Sequence, residues 1–156
     1  MSQEPTMGRS LPRKEGVEKV TGRRIYVDDF TLPELRDMLH GATIRSSVPR
    51  GKITGIRFDP SVPWHEFTIV TAKDIPGKNI VTLIELDQPF LADREVRHVA
   101  EAIVLIAHPD KGVAEKAAAR VKIEYEERPA IFTIEDSLSK KNIQWGSDNI
   151  FKKFHV

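Results

Sequence analysis

The chain has 156 residues with no cysteine, is 40% apolar, and sets 24 Lys and Arg against 23 Asp and Glu for a net charge of +1. That length suits one domain or two small ones with a real core, and so small a net charge argues against a general nucleic-acid binder, which must neutralise many phosphates. The lack of cysteine excludes a disulfide scaffold, a thiolate zinc site and an iron–sulfur cluster ligated by this chain; with no apolar h-region at its start and no run near the roughly 20 residues of a membrane span, the expectation is a soluble, cytoplasmic protein with no membrane contact.

In chain order, residues 1–8 are polar and aperiodic and are expected to be a disordered leader. Residues 9–24 carry Arg9, Arg13, Lys14, Lys19, Arg23 and Arg24 against Glu15 and Glu18. No aromatic side chain is interleaved to stack a base, which favours a solvated or partner-facing extension over a nucleic-acid arm. A short strand is expected over 24–27, ended by Asp28 and Asp29, whose pairing reads as a turn because no third ligand stands at a calcium-loop spacing. Leu32-Pro33-Glu34-Leu35 opens a turn. Residues 39–45 read as a strand in which Gly41 marks a bulge or close approach. After the turn-rich residues 46–51, the alternating residues 52–58 read as its partner strand.

Residues 59–64 hold two prolines and are expected to be loop with a short helix. Residues 67–71 are apolar and β-branched, a core strand; residues 73–79 carry strong turn signals. Residues 80–86 suggest another strand, and residues 87–95 a loop.

The chain is organised around residues 96–129. Residues 99–107 are nearly continuous apolar sequence broken only by Glu101, the pattern of a strand buried on both faces. Pro109 and Asp110 stop it. Asp110 can cap a helix whose apolar residues Val113, Ala114, Ala117, Ala118 and Val121 recur at helical spacing. Val121, Ile123 and Tyr125 then alternate with charges as in a half-exposed strand. Beyond Pro129 a short helix is expected over 131–139 with Thr133 as cap. The tail over 140–156 holds Ile143, Trp145, Ile150, Phe151 and Phe154 with weak periodicity, a composition that docks on something, and its end at Val156 without a stop signal suggests the rest of a longer protein.

Chemistry is hard to find in these residues. The five histidines, at 40, 65, 98, 108 and 155, lack the i, i+3 or i, i+4 spacing of a helical metal pair. No Gly-x-Ser-x-Gly elbow is present. The strand-to-helix turn His108-Pro109-Asp110-Lys111-Gly112 lacks the glycines that cradle a phosphate, and Gly77 alone makes no phosphate loop.

Several short motifs in order nevertheless resemble one family. Glu18-Lys19-Val20-Thr21-Gly22 with Tyr26 and Asp28 is similar to the opening of the molybdenum-binding subunit of the xanthine dehydrogenase and aldehyde oxidase family. Leu39-His40-Gly41-Ala42 with Arg45-Ser46, Val70-Thr71-Ala72-Lys73-Asp74-Ile75-Pro76-Gly77-Lys78-Asn79, Asp87-Gln88-Pro89 with Leu91-Ala92, Val96-Arg97, and Val121-Lys122-Ile123-Glu124-Tyr125-Glu126 with Pro129-Ala130 follow in the family's order. Where the family often has Val-Arg-Tyr-Val-Gly-x-Pro-Val, this chain has Val96-Arg97-His98-Val99-Ala100-Glu101-Ala102-Ile103; loss of the glycine and proline suggests a more regular strand. Ser47 stands where the family usually has Pro, and Arg128 where it has Leu.

The resemblance implies an α+β fold, the α/β-hammerhead, with a mixed sheet and the strand-helix-strand unit at about 96–129. It implies a hammerhead domain over 9–139 and a tail or linker over 140–156 toward a missing molybdopterin-binding region. The function implied is a non-catalytic scaffold of a molybdopterin-dependent hydroxylase, as a fragment or a split subunit. No catalytic, cofactor-binding or metal residue is expected in this chain. Molybdopterin, iron–sulfur clusters and FAD belong to the whole enzyme, and its molybdopterin region, iron–sulfur and flavin subunits or domains are the implied partners, with an oligomer left open. Two other readings stand beside it: a binding module using the basic 9–24 segment, and a small autonomous enzyme built from distant acids with His98 or His40.

Overall fold

The computed structural model describes residues 8, 10–29, 35–82 and 86–155. The expected leader falls almost wholly outside them, as does most of the turn expected at 32–35. Contacts divide the chain into two units, Met1–Met38 and Leu39–Val156.

In the first unit, α1 (Gly16–Val20) is a single turn of helix. Arg24 closes onto it, with its guanidinium 3.0 Å from Glu15 and 3.4 Å from Glu18. The strand expected over 24–27 does not form; a 3-10 turn occupies Val27–Asp29. The Asp29 carboxylate accepts the Tyr26 N–H at 2.9 Å, and such a local side-chain acceptor competes with sheet pairing.

The second unit holds β1 (His40–Arg45), β2 (Gly51–Phe58), β3 (Thr68–Val70), β4 (Glu95–Val96), β5 (Ala102–His108), α2 (Lys111–Ala118), β6 (Val121–Glu127) and α3 (Ile134–Leu138). They form two three-stranded sheets, ordered β1-β5-β3 and β4-β2-β6. The α+β class stands, but every described strand pair is antiparallel, so the expected mixed sheet resolves into two antiparallel ones. The reason lies in the strand-helix-strand unit: β5, α2 and β6 follow in sequence as expected, yet α2 carries the chain from one sheet into the other instead of making a parallel crossover within one.

Pairing also corrects the partner of β2. Residues 52–58 do form a strand, but β1 pairs with β5 and β2 pairs with β4 and β6. The connection between β1 and β2 is a switch between sheets, not a hairpin. Ser46, buried in it, donates its hydroxyl to the Val48 carbonyl at 2.7 Å and accepts the Val48 N–H at 3.2 Å. A Cβ at Gly41 would meet Leu105 Cδ1 at 3.4 Å, an ordinary van der Waals distance, so no close approach requires glycine there, and the irregularity of β1 falls at Ile44/Arg45 instead.

β5 is buried on both faces, as its continuous apolar run requires. Ile103 and Val104 are consecutive, so they point to opposite faces, and their exposures are 1% and 0%. They join Ile44, Phe67, Val96, Ile106, Ala117 and Val121 in one core that draws on both sheets and α2. Truncating Val104 or Ile106 to alanine would cost on the order of 2–4 kcal/mol, since buried methyl groups are lost and a void remains. The strand expected over 80–86 falls partly on residues 83–85, which lie outside the described residues; among the described ones Val81 bridges Gln88.

Turns and caps are set by short polar side chains. Asp110 caps α2 by accepting the Val113 N–H at 2.9 Å, and Thr133 caps α3 by accepting the Asp136 N–H at 3.0 Å. Hydrogen bonds hold three carboxyls below the usual carboxylate range: Asp59 through the Ser61 hydroxyl, Asp74 through the Thr71 hydroxyl, and Asp110 through the Val113 N–H. Each therefore takes its proton more readily in the unfolded chain. The stability these bonds supply is complete above about pH 4 and fades as the pH falls through the lower folded-state values. A variant carrying Asp59→Asn, Asp74→Asn and Asp110→Asn should lose less of its urea midpoint between about pH 6 and about pH 3 than the parent chain; equal losses would contradict the assignment.

Candidate functional site

An open cleft of about 720 Å³ lies in the second unit, with another of about 300 Å³ sharing part of its wall. Arg97 and Glu101 border both. Asn79 shapes the larger one by pinning the chain across its rim: its carbonyl oxygen accepts the Phe90 and Leu91 N–H groups at 3.0 and 3.2 Å, and its amide donates to the Leu91 carbonyl at 2.6 Å.

The cleft is built on the turn before β5, where the structure departs from expectation. The strand starts at Ala102, not at residue 99, and Ala100 lies in the left-handed region at φ +66°. The more regular strand expected from loss of the family's glycine and proline is thus not found. Ala100 keeps the conformation a glycine would take freely and an alanine takes at a cost. Long-range bonds over-determine it. Arg45 donates to the Ala100 carbonyl at 3.0 Å, the Ala100 N–H donates to the Ser46 carbonyl at 2.8 Å, and the Ser46 N–H donates to the Glu101 carbonyl at 2.8 Å. Glu101 is 7% exposed as a whole residue, and its carboxylate accepts the Arg97 N–H at 2.6 Å.

Several charges around the larger cleft are engaged with one another. Arg97 lies 3.1 Å and Arg128 3.9 Å from Glu95, and Arg94 3.8 Å from Asp93. The four cations of the larger cleft, Lys52, Arg94, Arg97 and Arg128, are matched by the four acids Asp87, Asp93, Glu95 and Glu101, so it offers no net positive charge to a phosphate-bearing pterin. Among the described residues no three His, Cys, Asp or Glu side chains come together as metal ligands.

The histidines sort into separate places. Register sets His40 opposite His108 at one end of the first sheet, a juxtaposition the sequence spacing concealed. The His108 ring packs on Phe67, centroids 4.8 Å apart, and its Nδ1 accepts the Asp110 N–H at 2.9 Å. His98 lies in the turn before the other end of β5, roughly 20 Å away along the strand, so no single site gathers His40 and His98 with acids. In the basic segment Arg24 is tied to Glu15 and Glu18. Sequence reasoning missed Asn79 and Glu101 as cleft residues; the one available signal was Glu101 as the sole charge inside an apolar run.

Comparison with known proteins decides the family. The aldehyde oxidase and xanthine dehydrogenase a/b hammerhead domain matches residues 21–129. The chain belongs to this family. Its hammerhead domain is similar to the nicotinate dehydrogenase large molybdopterin subunit of Eubacterium barkeri, 30% identical over 153 residues that make up 96% of this chain and 35% of that protein. It is similar to the xanthine dehydrogenase of Blastobotrys adeninivorans at 31% identity over 87% of this chain and 10% of that one. Among solved structures it resembles the aldehyde oxidoreductases of Desulfovibrio gigas, with TM-score 0.75, 28% identity and coverage of 92% of this chain and 17% of that one, and of Desulfovibrio desulfuricans ATCC 27774, with TM-score 0.79, 25% identity and coverage of 97% and 18%. The chain thus spans between a tenth and about a third of the length of the curated relatives named here.

Because the hammerhead turn keeps its left-handed residue while carrying alanine there, Ala100→Gly should stabilise the domain by about 0.5–1 kcal/mol, the relief at φ exceeding the entropy a glycine adds to the unfolded chain. A urea midpoint unchanged or lowered in that variant would show that the turn does not hold this conformation.

Proposed function

We propose that the chain is a non-catalytic scaffold and assembly domain of a molybdopterin-dependent hydroxylase of the xanthine dehydrogenase or aldehyde oxidase type, present as a fragment or a separately encoded subunit. The observation that carries this reading is the match of one domain, residues 21–129, within relatives of which the chain spans 10–35%. On this reading residues 9–139 are the hammerhead domain and residues 140–156 lead toward a molybdopterin-bearing region. No residue of this chain is given a catalytic, cofactor-binding or metal-binding role; molybdopterin, iron–sulfur clusters and FAD serve the whole enzyme, and the parts that carry them are the partners.

Three features support an assembly role. The acids and histidines are dispersed among caps, turns and ion pairs. Large apolar side chains are left exposed at both ends of the chain, among them Val17, Val20 and Val27 near the start and Phe132, Ile134, Leu138, Phe151 and Phe154 near the end, all more than half exposed. The tail is also held in a defined path: Asn149 accepts the Gln144 and Trp145 N–H groups at 2.7 and 3.1 Å and donates to the Ser137 and Asn142 carbonyls, while Arg50 donates to the Pro129 and Ile143 carbonyls.

The test is co-expression of this chain with the molybdopterin-bearing polypeptide encoded beside or after it. The expected result is a stoichiometric complex in which hydroxylase activity requires both, and a purified chain that holds no pterin by mass spectrometry. Stoichiometric pterin or turnover on this chain alone would overturn the scaffold reading.

A further inference from the structure

Among the described residues the buried polar ones are Ser46 and Glu101, and Glu101 alone of the two carries a charge. Its carboxylate takes one backbone N–H, from Arg97. Among the described residues no Lys, Arg or His nitrogen lies within the 4.0 Å that defines an ion pair with it. The arginines around it are engaged with other groups, Arg97 and Arg128 with Glu95, Arg97 also with the Asp87 carbonyl at 3.5 Å, and Arg94 with Asp93, while Lys52 on the wall of the larger cleft does not come within ion-pair distance of Glu101. A carboxylate on a largely buried residue with no counter-charge in contact loses hydration without a full return, and the strained Ala100 turn, tethered to Arg45 and Ser46, holds Glu101 in that position at the cleft wall. Strain kept in place by several long-range bonds beside a buried charge marks a functional surface more than a packing accident.

We propose that the smaller cleft, lined by Asp87, Gln88, Pro89, Arg97, His98 and Glu101, receives an arginine side chain of the partner polypeptide, whose guanidinium pairs with Glu101. This rests on the reading of the chain as a domain that docks on a larger molybdopterin-bearing region. The cleft, about 300 Å³, has room for one long side chain. Asp87 supplies a second carboxylate on its wall, which offsets the repulsion from Arg97 once that guanidinium is committed to Glu95. A planar guanidinium gives up its hydration more readily than an ammonium and can bond a carboxylate through two N–H groups, which suits a desolvated interface. A metal ion is the poorer occupant, since the described acids and histidines do not converge as a ligand set.

The test uses the ¹⁵N-labelled chain and two probes, N-acetyl-L-arginine amide and its uncharged isostere N-acetyl-L-citrulline amide. Arginine should shift the Arg97, His98 and Glu101 amides saturably, with an apparent affinity at least several-fold above that of citrulline and falling as salt rises. Glu101→Gln, whose amide oxygen can still accept the Arg97 N–H, should abolish that preference. An equal response to both probes, no response, or an arginine preference that survives Glu101→Gln would overturn the proposal. If Glu101→Gln does not fold, the arginine and citrulline comparison on the parent chain, with Asp87→Asn expected to weaken arginine binding several-fold, decides the matter. Co-purification with the molybdopterin region alongside no arginine preference overturns this proposal and leaves the scaffold reading standing, whereas failure to co-purify counts against that reading alone.

Discussion

The fold depends on burying β5 from both sides. A strand whose consecutive residues Ile103 and Val104 are both excluded from water needs cover on each face, and its two edges need antiparallel partners, which β1 and β3 provide. The helix that follows supplies Ala114 and Ala117 to the core, small residues that let its backbone approach β1 and β5 closely. The second sheet then contributes Val96 and Val121 to the same cluster. Weakening β5 would disconnect elements that have few other contacts in common.

The turn before β5 is the second point of dependence, and it is polar where β5 is apolar. Residues 45 and 46 at the end of β1 grip residues 100 and 101 through three backbone-directed bonds, so the chain's switch between sheets and its entry into β5 are one structure. This explains why an alanine can occupy a left-handed position there: the surrounding bonds exceed the cost of its φ. The same grip buries the Glu101 carboxylate at the edge of the cleft. Packing and a candidate recognition surface are therefore coupled through one turn.

Membership in the aldehyde oxidase and xanthine dehydrogenase family gives the turn and the tail a common setting. A domain that spans at most about a third of the relatives named above has an economical account of its exposed apolar side chains if they face further protein. The charged cleft is a different kind of surface, polar, internally ion-paired and centred on a carboxylate, and it suits orientation more than affinity, since charge pairs select partners and register.

Much of this was legible in the sequence because it rests on local periodicity and short-range chemistry. The apolar run of β5, the helix with its Asp110 cap, the alternation of β6 and the Thr133 cap all follow from residues within a few positions of one another, and ordered motifs were enough to indicate the family. Long-range pairing was not legible. Alternation in residues 52–58 marks a strand but not its partner, so β2 was matched to β1 when the tertiary fold pairs it with β4 and β6. The strand expected over 24–27 gave way to a turn because the Asp29 carboxylate offered the Tyr26 N–H a nearer acceptor. The strained Ala100 turn and the place of Glu101 belong to the tertiary structure because they are tied to Arg45 and Ser46, some 55 positions away, by bonds whose free energy no local pattern contains; the cleft beside them is rimmed by bonds from Asn79 to Phe90 and Leu91. Sequence alone determined which segments would be buried, capped or turned; the three-dimensional contacts decided which of them meet, and hence where a charge could be held out of water.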